Sequence, residues 1–288
     1  MTLKNPEYDE IDSTGTSERT MTKAEEQQMF REAIPIPTPK ISDEEFEELK
    51  ALKGKEVDRT IPESKNESIL GLFAVPSDAD ITVSPYIYGG RLFFKKPDGL
   101  TYSGSAQFVG EDNILLTAAH CVRDDITGAF FSDFVFFRGY KNGSYEKKFD
   151  INAFGTKAGW VGGTAAKWGY DYAFLRASTS SDVGHLGYKT LENERSWTAF
   201  GYPNNYGNNQ VMKKVNGTRG RVEGGSVESL GDPMRSGNSG GAWFIEVSAN
   251  NRQALSNESF HINTTDEWGP VFTNATFTLL RAVRDYTG

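Results

Sequence analysis

From Ile81 onward the chain is a string of short apolar and aromatic runs broken by glycine, asparagine and aspartate, and this texture restricts the fold more than any other feature. The pieces "YIYGGRLFF", "SAQFVG", "NILLTAA", "FSDFVFFRGY", "YDYAFLRA", "SWTAFGY", "GGAWFIEV" and "GPVFTNATF" are strand-length, rich in β-branched or aromatic residues, and bounded by turn formers. No long amphipathic helices alternate with them, so a parallel α/β sheet is disfavoured and an all-β sandwich or barrel is implied. The last stretch, "TFTLLRAVRDY", differs: Phe277, Leu280 and Val283 recur at helical spacing and predict a C-terminal helix.

The first 80 residues read differently. They are charged and poor in aromatics, and Met1–Asn66 carry a net charge of -6 out of -8 for the whole chain. Two short helices are signalled, each by capping-box spacing: Thr22 with Glu25 ahead of "KAEEQQMFREA", and Ser42 with Glu45 ahead of "DEEFEELKALKG", which Gly54 stops. Between them "IPIPTPK" is extended, because each proline disfavours helix for its predecessor. Composition leaves two readings of this acidic leader open, a disordered tail and a pro-segment or docking arm that lies on a folded partner. The division expected is therefore a leader over 1–80 and a folded domain over 81–288.

The totals exclude several classes. An acidic chain is a poor match for nucleic acid or an anionic membrane surface, since binding phosphates calls for a basic face. No apolar run reaches membrane-spanning length, and the opening "MTLKNPEYDE" lacks the pattern of a signal peptide. Cys121 is the chain's one cysteine, so internal disulfides play no part and burial must hold the fold. Three histidines, His120, His185 and His261, have no ligand spacing, so no metal site is expected; no organic cofactor is expected either.

Three short stretches carry chemistry. In "SGNSGGAW", Ser239 stands among Gly237, Gly240 and Gly241, where absent side chains allow a tight turn and let backbone N–H groups approach a substrate oxygen. Alone, that is equally an ordinary turn. His120 ends the apolar run "ILLTAAHCV", and Asp171 precedes the apolar run "YAFLRA", a costly place for a carboxylate without hydrogen bonds. Each is explicable by itself as a strand-end residue. Together they supply a nucleophile, a base and a group to orient the base.

In combination these stretches resemble the trypsin/chymotrypsin-like serine proteases. "LTAAHCV" matches that family's histidine motif, "DYAFL" is similar to its aspartate motif, and "SGNSGG" to its serine motif, in the chain order His, Asp, Ser. The resemblance spans roughly residues 85–285. It implies a fold of two antiparallel six-stranded β-barrels with a C-terminal helix, and a serine endopeptidase acting on protein or peptide substrates through an acyl-enzyme. His120 would be the base, Asp171 its orienting partner, Ser239 the nucleophile, and the N–H groups of Gly237 and Ser239 the oxyanion hole. His120 and Asp171 would come from the first barrel and Ser239 from the second.

Two departures qualify the resemblance. Cys121 has no partner cysteine and is read as a small buried hydrophobe. Asn238 replaces the aspartate that receives a new N-terminal ammonium in the animal enzymes, so the chain is closer to the disulfide-poor microbial branch related to V8-like glutamyl endopeptidases. Pro233 stands where trypsin has its specificity aspartate, which argues against cleavage after lysine or arginine. Arg235 and His261 are candidates for positive charge near the specificity pocket, with solvent-facing roles as the alternative, and Ser259 and Phe260 for a strand on which a peptide adds by β-augmentation.

Competing readings remain. "GNSGG" also satisfies an esterase motif, but no βα units surround it and His261 follows Ser239 closely. A catalytically silent protease-like binding protein would retain the fold without an assembled site. The leader could inhibit the enzyme intramolecularly. Family resemblance favours export, whereas the lone cysteine and the opening sequence permit an intracellular protein.

Overall fold

The computed structural model describes residues 9–12, 21–52 and 74–287. In chain order the first segments supply β1 (Asp9–Asp12), α1 (Lys23–Glu32), β2 (Ile34–Pro35), α2 (Asp43–Ala51) and β3 (Ser77–Asp78). Both leader helices begin where the caps place them: the Thr22 side chain accepts from the N–H of Glu25, whose carboxylate returns to the Thr22 N–H, and the Ser42 side chain accepts from the N–H of Glu45. Gly54, the expected stop of the second helix, lies outside the described residues.

A first sheet follows, built from β4 (Gly89–Lys95), β5 (Thr101–Phe108), β6 (Ile114–Thr117), β7 (Ser132–Arg138), β8 (Lys147–Lys157) and β9 (Ala173–Ala177). Its order is β8-β7-β4-β5-β6-β9, and β8 also pairs with β9, so the six antiparallel strands close into a barrel. Closure leaves both faces of its strands buried. Leu92, Phe94, Phe108, Leu115, Phe136 and Phe149 fill the interior, whereas Phe93, Ile114, Leu116, Phe137 and Phe174 on the alternate face pack outward against the rest of the molecule. Two apolar faces on one strand account for runs such as "ILL" and "FVFF".

The second sheet comprises β10 (Gly187–Tyr188), β11 (Ser196–Gly201), β12 (Lys213–Glu223), β13 (Ser226–Leu230), β14 (Ala242–Ser248), β15 (Asn251–Asn257) and β16 (Glu267–Pro270), with the short helix α3 (Asn204–Gly207) between β11 and β12. The order is β10-β15-β14-β11-β12-β13-β16. Beyond β15 the N–H groups of Ser259 and Phe260 both donate to the Trp268 carbonyl of β16, so the sheet curls back on itself. The sequence reading does not extend to β8, β12, β13 and β15, and it starts a strand at Tyr86, where the chain forms a single 3-10 turn before β4.

The C-terminal helix α4 (Asn274–Asp285) buries Phe277, Leu280 and Val283, the face read from the sequence. "GPVFTNATF" divides there between β16 and the first turn of α4. Arg176 of β9 donates to the carbonyls of Arg284 and Tyr286 at 2.9 and 2.6 Å, covering acceptors that the helix end leaves open.

The leader is docked along its described length. β1 pairs with β8, β2 with β5 and β3 with β12. Phe30 of α1 is buried edge-on against Phe137 and Tyr140 beside the first barrel. Phe46 and Leu49 of α2 are buried with Trp160, Trp168, Phe260 and Trp268.

Candidate active site

Pairing of β6 with β9 sets the first half of the site. Thr117 is opposite Ala173, so the chain leaving β6 and the chain entering β9 lie side by side. Three residues past Thr117 is His120, in a 3-10 turn, and two residues before Ala173 is Asp171, at the end of another. His120 Nδ1 is 2.7 Å from Asp171 Oδ2, and the His120 backbone N–H donates to Asp171 Oδ1 at 2.9 Å. The Ser259 hydroxyl donates to the same Oδ2, and Asn257 Nδ2 donates to the Asp171 carbonyl at 3.0 Å. Asp171 is completely buried. A carboxylate removed from water is tolerable where several donors replace the lost hydration, as they do here.

Ser239 precedes β14 in the second sheet. The loop that carries it needs left-handed backbone at Gly237 (φ 88°) and Gly240 (φ 84°). It also needs their lack of a side chain: a Cβ on Gly237 would lie 2.1 Å from Asn209 Nδ2, and one on Gly240 2.1 Å from Thr117 Oγ1. Strand β5 of the first barrel fixes this loop. Ser105 donates its hydroxyl to the Gly237 carbonyl at 2.8 Å and its N–H to the Ser239 carbonyl at 2.9 Å. Gln107 donates to the Gly240 carbonyl and accepts from the Ala242 N–H, both at 3.0 Å. The two halves of the site are thus tied together by polar groups on a strand buried on both faces.

His120 Nε2 and Ser239 Oγ are both buried and make no hydrogen bond among the described residues. The base–nucleophile contact is therefore not formed in this state. Burial pulls the His120 imidazole down, but the Asp171 carboxylate, with Cys121, outweighs it and leaves the pKa raised to about 10. Cys121 is a free, buried thiol with its Sγ 3.9 Å from the Ser239 carbonyl oxygen. Asn238 is buried, and neither polar atom of its side-chain amide is hydrogen-bonded among the described residues.

The remaining sequence candidates lie in the loops that flank β13 to β16 of the second sheet. Pro233 uses its carbonyl to accept from Asn205 Nδ2. Arg235 turns inward: it pairs with the buried Glu267 carboxylate and donates to the carbonyls of Asp232, Met234, Asn263 and Asp266, so its charge is committed inside the loop. Phe260 stacks on Trp268, with ring centroids 5.7 Å apart. His261 Nδ1 contacts the Asn263 carbonyl, and burial lowers its pKa. Sequence reasoning missed Ser105, Gln107 and Asn257, and it assigned Ser259 to peptide pairing, not to the Asp171 carboxylate. In "SGSAQF" the polar residues at Ser103, Ser105 and Gln107 alternate along a buried strand, which is the signal that could have found the first two.

The second sheet and its loops also hold a group of buried ionisable residues. Asp232, Glu258 and Glu267 are essentially without solvent contact. Burial raises Asp232 to about 6. Burial, with Asp232 and Glu267 as like-charged neighbours, raises Glu258 well above the usual carboxylate range.

A closed six-stranded antiparallel barrel, a second curled sheet and a C-terminal helix make up a chymotrypsin-like fold. Residues 104–247, half of the chain, match the family model described as a trypsin-like peptidase domain, and the chain belongs to that family. It is by class a serine endopeptidase. Among solved structures it is similar to the protease Anisep from Arthrobacter nicotinovorans, at 25% identity and a TM-score of 0.62, covering 73% of this chain and 100% of that one. It is also similar in fold to a thermostable serine protease, AL20, from an extremophilic microorganism, at 24% identity and a TM-score of 0.61 over 69% of this chain and 98% of that one. A Glu endopeptidase shares the fold at 19% identity and a TM-score of 0.62, over 73% and 97% of the two chains. No curated protein matches the sequence.

Proposed function

We propose that the chain hydrolyses peptide bonds with Ser239 as nucleophile, His120 as general base and acid, and Asp171 as the group that orients and charges the imidazole. Ser239 Oγ attacks the peptide carbonyl as its proton passes to His120 Nε2, and the negative oxygen that develops is held by the N–H groups of Gly237 and Ser239. The C–N bond then breaks, the proton moves from His120 Nε2 to the leaving amine, and an ester on Ser239 remains. Water repeats the sequence to release the acid. The observation that carries this reading is the Asp171 carboxylate, buried yet held by His120 Nδ1, the His120 N–H and the Ser259 hydroxyl. Such a grip fixes the tautomer that leaves Nε2 free to accept a proton.

The substrate side chain is expected not to be lysine or arginine. Pro233 offers no carboxylate, and Glu258 deeper in the same region is held towards its neutral form by burial. Profiling cleavage of a peptide mixture checks this, and a dominant preference for basic residues would contradict it. The activity itself is tested by intact mass after long exposure to a fluorophosphonate. One adduct is expected on the protein and none on Ser239→Ala; equal uptake by both would remove Ser239 as the nucleophile.

A further inference from the structure

The leader does more than dock: its central strand runs through the site. Ile36 donates its N–H to the Ser103 carbonyl of β5 at 2.8 Å, and its carbonyl accepts from the Gly237 N–H at 2.7 Å. Gly237 is one of the two donors assigned to the oxyanion hole, and 2.7 Å is the distance such a donor keeps from a reacting oxygen. Two residues on, the Thr38 hydroxyl accepts from the Ser236 N–H at 2.8 Å. The strand then crosses to the second sheet, where the His261 N–H donates to the Pro39 carbonyl at 2.9 Å and the Ile41 N–H to the His261 carbonyl at 3.1 Å. Ile36, Thr38 and Ile41 are buried, whereas Pro37 and Lys40 face solvent.

We propose that residues 34–41 are a resident inhibitor of the cleft: an extended peptide with proline at every second position, held by its backbone across both sheets with the Ile36 carbonyl on the Gly237 amide, and not cleaved there. It rests on the reading of Ser239 as a nucleophile. Pro35, Pro37 and Pro39 suit the role in three ways. They stiffen the segment in the extended form, which lowers the ordering cost of binding. They remove N–H groups at alternate positions, and of those that remain Ile36 and Ile41 donate to the carbonyls of Ser103 and His261. They also make the Ile36–Pro37 bond a tertiary amide, so acyl transfer at Ile36 would have to expel a ring nitrogen crowded by its own Cδ.

The rest of the geometry agrees. Of the two assigned oxyanion donors, only Gly237 reaches the Ile36 carbonyl, and Ser239 Oγ and His120 Nε2 have no hydrogen bond among the described residues. The segment is parallel to both edges it touches, with Ile34 and Pro35 in register with Tyr102 and Ser103, and Lys40 with His261. On either side a helix anchors it. Phe30 of α1 holds one end at the first barrel, and Leu49 and Phe46 of α2 hold the other beside Phe260 and Trp268. Trp168 Nε1 adds a hydrogen bond to Glu45 at 2.8 Å.

The test uses the full chain and the double variant Ile41→Ala/Leu49→Ala, which loosens the second anchor without touching the proposed catalytic groups. Fluorophosphonate uptake by intact mass is read beside hydrogen exchange at the Gly237 and His261 amides. Exchange at both amides should be slow in the unaltered chain and fast in the variant, and uptake at Ser239 should be ~100-fold faster in the variant, as for a site closed ~99% of the time. A synthetic peptide of residues 33–42 should slow the variant again, and the same residues in reversed order should not. Equal uptake by both forms with the variant's amides released would overturn the inhibitor and leave the Ser239 reading intact. Scission between Ile36 and Pro37 in the unaltered chain would also overturn it, by making the segment a substrate. No uptake by either form, again with released amides, would sink the Ser239 reading and reduce residues 34–41 to a ligand without an inhibitory role. Should the double variant not fold, Leu49→Ala alone is read in the same way.

Discussion

Asp171 and Glu258 are both carboxylates shut away from water near the same cleft, and they are treated oppositely. Asp171 meets the His120 N–H, His120 Nδ1 and the Ser259 hydroxyl. The Glu258 carboxyl accepts no hydrogen bond of normal geometry among the described residues, and has the acids Asp232 and Glu267 as neighbours. Burial penalises charge at both places, and what separates them is the supply of donors. The first arrangement sets a carboxylate against an imidazole and surrounds it with donors, and the second favours the protonated acid. A serine protease site needs the former; the latter shows that burial alone does not produce one.

Removing the charge of the first acid should have the largest effect. Asp171→Asn is expected to lower the peptide turnover of leader-released protein by ~10⁴-fold, because an amide favours the wrong imidazole tautomer. Steady-state rates on a peptide substrate decide it, and a loss under tenfold would erase the contrast with Glu258. Acid should imitate that substitution. With the His120 pKa at about 10, the neutral base grows scarcer as pH falls, so fluorophosphonate uptake by the leader-bound chain should drop about tenfold per pH unit below that value. Uptake that stays level between pH 10 and 7 would show that the imidazole is not held as Asp171 predicts.

Ser259→Ala takes one donor from Asp171 and leaves the others. A single hydrogen bond to a charged group corresponds to about tenfold or somewhat more in rate. The pH profile should shift with it, which a purely structural role would not produce. The smallest effect belongs to the second acid. Because the folded-state pKa of Glu258 lies above its usual value, its contribution to stability is complete below about pH 4.5 and is lost as pH rises through the folded pKa. Glu258→Gln abolishes that titration, so the fall of Tm with rising pH should flatten, by about 2–4 °C for each kcal/mol recovered. Parallel pH–Tm curves for the two proteins would show that Glu258 keeps no proton.

Legibility followed the physics of each element. The barrel strands could be read because closure buries both of their faces, and an apolar run then survives in the sequence as "FVFF" or "ILL". β12, "KKVNGTRGRVE", keeps mostly half-exposed positions, and its polar residues hide the strand from any reading of hydrophobic pattern. The helix caps at Thr22 and Ser42 are local hydrogen bonds closed within four residues, so local sequence specified them. The polar braces of the serine loop, Ser105 and Gln107, lie more than a hundred residues from the carbonyls they hold. Nothing near them in the chain announces a partner at that separation.

The sequence by itself determined the strand-rich class, the two caps, the C-terminal helical face and three motifs in a recognisable order, because each depends on residues within a few positions of one another. Tertiary structure alone decided which buried acid is surrounded by donors and which is left beside other acids, since that depends on groups brought from distant strands. It also decided that "IPIPTPK" lies across the cleft on the Gly237 amide. An extended, proline-rich segment cannot satisfy its own backbone, and where it finds its partners is fixed by the surface against which the chain folds.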